Sequence, residues 1–267
     1  MRLTRVLVTE LRTGEVVLRG SEAHHLRDVL RLVPGAPVEA FDGRGSVAEG
    51  RVTAADKGGV VLELGEPRHS RAEPGMTVTV AVALLKGDKL AGVVRQCTEL
   101  GVDRFVLLQT RHADVTSLSV AKRQRLQHVA AEAARQSERA RVPSIEGPVQ
   151  LGRLEWEGVA IVADPRAPLA LSAALGTPGV RERLTLITGP EGGLAPSEVM
   201  ELVDRGAVAA SLGPRILRAE TAPVALAAVA LLREAGESAR EVEAPEPGRE
   251  DNAREPVREG EALESSR

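Results

Sequence analysis

The chain has 267 residues, of which 43% are hydrophobic and 1% aromatic, with one cysteine and a formal net charge of −3. The lone Cys97 excludes an internal disulfide framework and a multi-cysteine zinc site, and two Phe, one Trp and no Tyr exclude a surface on which several bases stack. The acidic balance does not exclude a nucleic acid, because the segment from Glu237 to Arg267 carries −5 and leaves +2 for the rest, with seven basic against three acidic residues between Arg111 and Arg141.

Length leans toward two domains, and the chain order agrees. Arg5 to Val8, Glu15 to Leu18, Pro37 to Asp42, Ser46 to Ala54 and Val60 to Leu64 read as short strands with turn punctuation, which suggests a small β-barrel over residues 1–70. One helix interrupts them, with Ser21 as its N-cap and Leu26, Val29 and Leu30 on one face. His24, Arg27 and Arg31 lie on or beside the other face. Adjacent His24 and His25 diverge by about 100° on a helix and lack a carboxylate to complete a ligand set, so no metal is expected.

A polar stretch from Pro67 to Pro74 marks a boundary, after which strand and helix alternate over residues 75–235. Thr77 to Leu85 reads as a buried strand. Lys89 to Leu100 follows as a helix, with Leu90, Val93, Val94 and Cys97 in its apolar stripe and Gly101 closing it. Next come a strand at Phe105 to Leu108, a long helix from Ser119 to about Arg139, and strands at Val159 to Ala163, Leu184 to Thr188 and Val208 to Leu212. Helical patterns at Pro196 to Val203 and Thr221 to Glu234 complete the set. Such alternation predicts an α/β fold, a mostly parallel sheet with helices on both faces and a ligand crevice beyond the carboxyl ends of its strands. Residues 236–267, rich in Glu, Pro, Gly and Arg, are expected to be a disordered acidic tail. No apolar run approaches the roughly 20 residues a membrane helix needs, so no membrane partner is expected and the cytoplasm is the default.

Two strand-ending loops carry the informative residues. Thr188-Gly189-Pro190-Glu191-Gly192-Gly193 offers backbone approach to a ligand at a helix start, yet it also suits an ordinary turn, and it lacks the Gly-Lys-Ser/Thr ending of a P-loop. Ser211 to Ala222, containing Gly213-Pro214-Arg215-Ile216-Leu217-Arg218-Ala219-Glu220, places two arginines and a glutamate beside exposed backbone, more charge than a connection needs.

In this order and spacing the two loops resemble the RsmE family of ribosomal RNA uridine N3-methyltransferases, of the SPOUT superfamily. The resemblance extends to Arg2 and Arg5, to His25 through Arg31 with its Val-Leu-Arg, to Glu99-Leu100-Gly101-Val102, and to Glu132, Gln136, Arg139 and Pro143. It implies an N-terminal PUA-like barrel that docks RNA, a C-terminal α/β domain with a trefoil knot, and a homodimer. It further implies methylation of a uridine in small-subunit (16S) ribosomal RNA by S-adenosylmethionine. On that resemblance the cofactor would lie against Gly189, Glu191, Gly192 and Gly193 and be enclosed by Leu212, Gly213, Ile216 and Leu217, with Ala163-Asp164-Pro165 as a third wall. Arg218 and Arg139 would stabilise charge on uracil O2 and O4, and Glu220 would be the base unless it pairs with an arginine or caps the last helix. Arg2, Arg5, Arg27, Arg31 and Lys86 would hold the RNA, although each alone also fits a solvated surface charge. Two rivals stand beside it: a ribose 2′-O-methyltransferase of the same superfamily, and a non-catalytic RNA-binding ribosome-assembly protein.

Overall fold

A computed structural model describes residues 3–243. Two six-stranded sheets divide them. The first joins β1 (Thr4–Leu7), β2 (Gly14–Leu18), β3 (Pro37–Phe41), β4 (Ser46–Asp56), β5 (Gly59–Leu64) and β6 (Arg68–His69) in the order β1-β3-β4-β5-β2, with β6 on β4. Only β1 and β3 run parallel. Alternation along these strands turns Val6, Val38, Ala40, Val52, Leu62 and Leu64 into one core, as period-2 patterning requires.

Between β2 and β3 lies α1 (Gly20–His24), which widens into a π-helical turn over His25–Val29, where the Leu30 N–H donates to the His25 carbonyl five residues back. The wider turn breaks the expected stripe. Leu26 is fully buried, while Val29 and Leu30 are exposed, and Arg19 rather than Ser21 occupies the N-cap.

The second sheet is wholly parallel. It joins β7 (Thr77–Ala83), β8 (Arg104–Gln109), β9 (Ser144–Gln150), β10 (Val159–Ala163), β11 (Arg183–Thr188) and β12 (Val208–Ala210) in the order β12-β10-β11-β7-β8-β9. Five of its strands match the expected ones. The sixth, β9, contains Gly147-Pro148, which reads as a turn; it is tolerated because β9 is an edge strand with a register shift at that point.

Helices cover both faces. On one side α2 (Lys89–Leu100), α3 (Val120–Gln136), the short α4 (Leu171–Ala174) and α6 (Thr221–Glu243) bury Val93, Val94, Leu126, Leu226 and Leu231 against Val80, Val82, Phe105 and Leu186. On the other, α5 (Pro196–Asp204) and a tight turn at Leu151–Arg153 bury Val199, Leu202 and Leu151 against Ala81, Val106, Val162 and Ile187. α6 runs past Glu234 to Glu243, into the segment expected to lack structure; the rest of that segment lies outside the described residues. Among the described residues no helix is long and apolar enough to cross a membrane.

Candidate active site

At the carboxyl ends of β10, β11 and β12 three loops enclose a cavity of about 670 Å³, a size suited to a cofactor. The chain makes it there because parallel strands all point their carboxyl ends the same way, and the connections to the following helices must leave from that edge. Every residue of the two loops expected to touch a cofactor lines it: Gly189, Glu191, Gly192 and Gly193 from the first, Leu212, Gly213, Ile216 and Leu217 from the second. Arg218 and Glu220 line it too.

The first loop depends on its glycines. A Cβ on Gly189 would stand 2.8 Å from the Leu194 nitrogen, and Gly193 has φ +70°, so the loop folds back on itself only without side chains there. Its exit is fixed by Glu198, a buried carboxylate in the first turn of α5 that accepts from the Ala195 N–H and the Arg111 N–H, both at 2.8 Å.

The second loop is tied to its neighbours by backbone. The Ser211 N–H donates to the Leu169 carbonyl at 2.8 Å, the Leu171 N–H to the Ser211 carbonyl at 2.9 Å, and the Asp164 N–H to the Ala210 carbonyl at 3.0 Å. At its end the Arg218 carbonyl accepts from the Thr221 and Ala222 N–H groups that open α6, which seats Arg218 at the cavity lip. The Arg218 guanidinium is exposed and makes no ion pair among the described residues. Ile216 is 86% exposed, an apolar side chain left uncovered by the described residues.

Charge around the cavity is mixed. Asp164 accepts from the Nε and backbone N–H of Arg166 at 2.9 and 3.0 Å; burial works against its ionisation, but these bonds outweigh it and hold the carboxyl below its ordinary range. Glu191 is likewise partly desolvated, and its bonds to Lys89 and to backbone N–H groups bring its pKa down. Of the three buried side-chain oxygens that have no hydrogen-bond partner among the described residues, Thr188 Oγ1 and Glu220 Oε2 belong to cavity-lining residues, and Thr110 Oγ1 does not. Such orphans in a roomy polar-edged cavity fit a ligand that supplies the missing partners.

Other expected site residues lie elsewhere. Arg139 is 2% exposed and sits far inside: its guanidinium donates to Glu73 Oε2 at 2.7 Å and to the Thr98 and Val102 carbonyls at 3.0 and 2.6 Å. It is a structural cation, saturated by a carboxylate, and cannot reach a substrate. Arg5, expected to hold RNA, is buried as well. It is 6% exposed, donates to Glu39 at 2.8 Å and to the Arg139 carbonyl at 2.8 Å, and stacks on Phe41, so it offers nothing to an RNA backbone.

Arg27 is committed to Asp28 and the Asp56 carbonyl, while Arg31 is exposed with φ +53°. Lys86 is exposed and pairs with Asp114 at 2.8 Å. Arg2 lies outside the described residues. Of the charged residues that line the cavity, Lys89 and Arg166 had not been singled out from the sequence, and Arg215 had been noted only as part of the charge of its loop. Only Lys89 carried a signal, a cation in the first turn of a helix, where the dipole disfavours it.

Residues 72–231 match the model of an RNA methyltransferase domain, and residues 18–65 that of an RNA methyltransferase PUA domain. A Synechocystis sp. protein named Ribosomal RNA small subunit methyltransferase E is 35% identical over 227 residues, 82% of this chain and 74% of its own. Its namesake from Mycobacterium tuberculosis is 36% identical, with 82% and 88% covered, and that from Bacillus subtilis is 31% identical, with 88% and 96% covered. Among solved structures, Ribosomal RNA small subunit methyltransferase E from Neisseria gonorrhoeae bound to S-adenosylmethionine superposes with a TM-score of 0.78 at 25% identity, over 85% of this chain and 96% of that one.

Proposed function

Because the chain belongs to the family of ribosomal RNA small subunit methyltransferases E, we propose that its cavity holds S-adenosylmethionine and delivers the methyl group to N3 of a uridine in 16S ribosomal RNA. The observation that carries this is the convergence of the two glycine-containing loops on one cavity whose lining leaves two buried oxygens, Thr188 Oγ1 and Glu220 Oε2, without a hydrogen bond. When bound, S-adenosylmethionine supplies an electrophilic methyl group on a sulfonium.

The protein's task is to present an anionic nucleophile to that methyl group. Uracil N3 carries a proton, and the charge left on its removal spreads onto O2 and O4. Arg218, exposed at the cavity lip, is the donor for one of those oxygens, a contribution of about 3 kcal/mol to the transition state when a single such donor is lost. Glu220 is the carboxylate on the same loop, with a buried Oε2 that accepts no hydrogen bond and lies 3.6 Å from Lys89 Nζ, and takes the proton. N3 lies on the pairing edge of the base, so the uridine enters unpaired or flipped. With few aromatic residues to stack on, the RNA is held by charge: Arg31 and Lys86 at the surface, and Arg166 and Arg215 at the cavity.

Three finer features complete the proposal. The first sheet is the framework of a PUA-like barrel that docks RNA, a reading supported by the match of residues 18–65 to an RNA methyltransferase PUA domain. The last strand lies at the far edge, beyond β10, whereas α6 packs back on α2 and near β7 and β11, a return that supports a trefoil knot. Exposed Met200, Ile216, Val229 and Leu232 are apolar surface for a second copy, giving a homodimer.

The test is incubation of the purified chain with labelled S-adenosylmethionine and unmethylated small ribosomal subunits, followed by mass spectrometry of the nucleosides. Appearance of 3-methyluridine is expected. A ribose-methylated nucleoside, or no transfer to any ribosomal RNA, overturns the proposal.

A further inference from the structure

Lys89 opens α2, where a cation works against the positive end of the helix dipole, so its placement answers to something outside the helix. Two carboxylates supply the reason. Its Nζ is 2.9 Å from Glu191 Oε1 and 3.6 Å from Glu220 Oε2. These are the acidic residues of the first and second cavity loops, which follow different strands and reach the cavity from different sides. A third segment joins them: the Lys86 N–H donates to Glu191 Oε1 at 3.3 Å, and Gly87, with φ +62°, turns the chain from there toward α2.

We infer that Lys89 is a positioning residue whose ammonium clamps Glu191 and Glu220 together, setting the spacing of the two loops that hold the cofactor. The inference rests on the cavity being the cofactor site. Electrostatics make the clamp necessary. Two carboxylates that face one partly desolvated cavity repel, and Glu220 Oε2 has no hydrogen bond to anchor it, so without the ammonium the loops lose the charge that draws both inward. All three side chains are partly exposed, 38%, 28% and 27%, so the ion pairs add little to global stability. Their effect falls on geometry, where small displacements of binding groups are costly.

The full chain is compared with K89M, K89R, E191Q and K89M/E191Q. Hydrogen exchange is measured first, on cofactor-free protein. K89M is expected to speed exchange at residues 189–194 and 213–222 together, about tenfold, with β7, β10 and β11 unchanged, while K89R stays within about threefold of the parent. Titration with S-adenosylmethionine should show K89M binding about tenfold more weakly, with K89R restoring affinity and E191Q costing little more once Lys89 is gone, because a neutral amide no longer calls for a cation. Faster exchange confined to the first turn of α2, unchanged affinity in K89M, or losses in K89M and E191Q that simply multiply would overturn the clamp. If the parent chain fails to bind S-adenosylmethionine, the cofactor assignment falls, and the exchange measurement still decides the clamp.

Discussion

Arg139 and Arg218 are alike as letters in a sequence and opposite in their surroundings. Arg218 stands exposed at the cavity, its carbonyl spent on α6 and its guanidinium uncommitted. Replacing it in R218A should lower kcat by about 10² to 10³ and leave the affinity for S-adenosylmethionine and the urea midpoint unchanged, since only a transition-state contact is lost. Equal falls in affinity and kcat would remove it from the chemistry. Arg139 predicts the reverse. Its charge neutralises Glu73 at 2.7 Å and, with Arg141 at 3.0 Å, helps to neutralise Asp103 at 3.5 Å, so R139M leaves the largely covered Glu73 without its guanidinium partner. The expected cost is about 3–5 kcal/mol in urea unfolding, with kcat per folded molecule preserved. The glycines of the cavity loops were legible because a close approach leaves a mark on residue type. The fate of Arg139 was not, because Glu73 and the Thr98 and Val102 carbonyls come to it from distant parts of the chain and no local pattern announces them.

Elements were legible where one periodicity ran without interruption. β7 alternates Thr with Val before Ala81, Val82 and Ala83, β8 carries the run Phe105-Val106-Leu107-Leu108, β11 sets Leu184, Leu186 and Ile187 around Thr185, and α2 carries its stripe through Leu90, Val93, Val94 and Cys97, so their type follows from spacing. β9 was missed because Gly147-Pro148 is a turn signal that the sheet edge absorbs, and the stripe of α1 failed because one π turn moves every later side chain around the axis. α5 shows how an element end serves the site. Its proline at the N-terminus was readable, but Glu198 also reaches across to the Arg111 N–H and so binds the loop after β8 to the loop after β11. E198A should cost about 2 kcal/mol, the loss of hydrogen bonds to a buried carboxylate, and should raise hydrogen exchange at Arg111 and Ala195 together. Exchange that rises at Ala195 alone would reduce Glu198 to an ordinary helix cap.

At the scale of the molecule, a chain of buried polar contacts runs between the two sheets, beside backbone bonds from Gly43 and Gly45 to Val142 and Ala140 and an apolar cluster of Phe41, Val47 and Ala140. Arg5 on β1 donates to the Arg139 carbonyl at 2.8 Å and the Ala134 carbonyl at 3.4 Å, at the end of α3; Arg139 reaches on to Glu73, between the sheets, and to the end of α2. A second tie links Arg135 on α3 to Glu22 on α1 at 2.9 Å. Burial drives the Arg5 pKa down, Glu39 and more distant carboxylates oppose that, and the guanidinium stays charged at neutral pH because arginine cannot be deprotonated in proteins. Its charge therefore has to be matched, and carbonyls from the second sheet's layer do part of the matching. It follows that the sheets should unfold as one unit in the parent protein and that S-adenosylmethionine, bound only to the second, should raise the whole transition. R5M keeps the volume of the side chain but removes the donors that cross between the layers. Its thermal unfolding should divide into two steps, with the cofactor shifting only the later one, read by calorimetry with and without S-adenosylmethionine. A single step that still moves as a whole with the cofactor would place the coupling in the ties that remain: the Arg135–Glu22 pair, the backbone bonds of Gly43 and Gly45 to Val142 and Ala140, and the apolar cluster of Phe41, Val47 and Ala140.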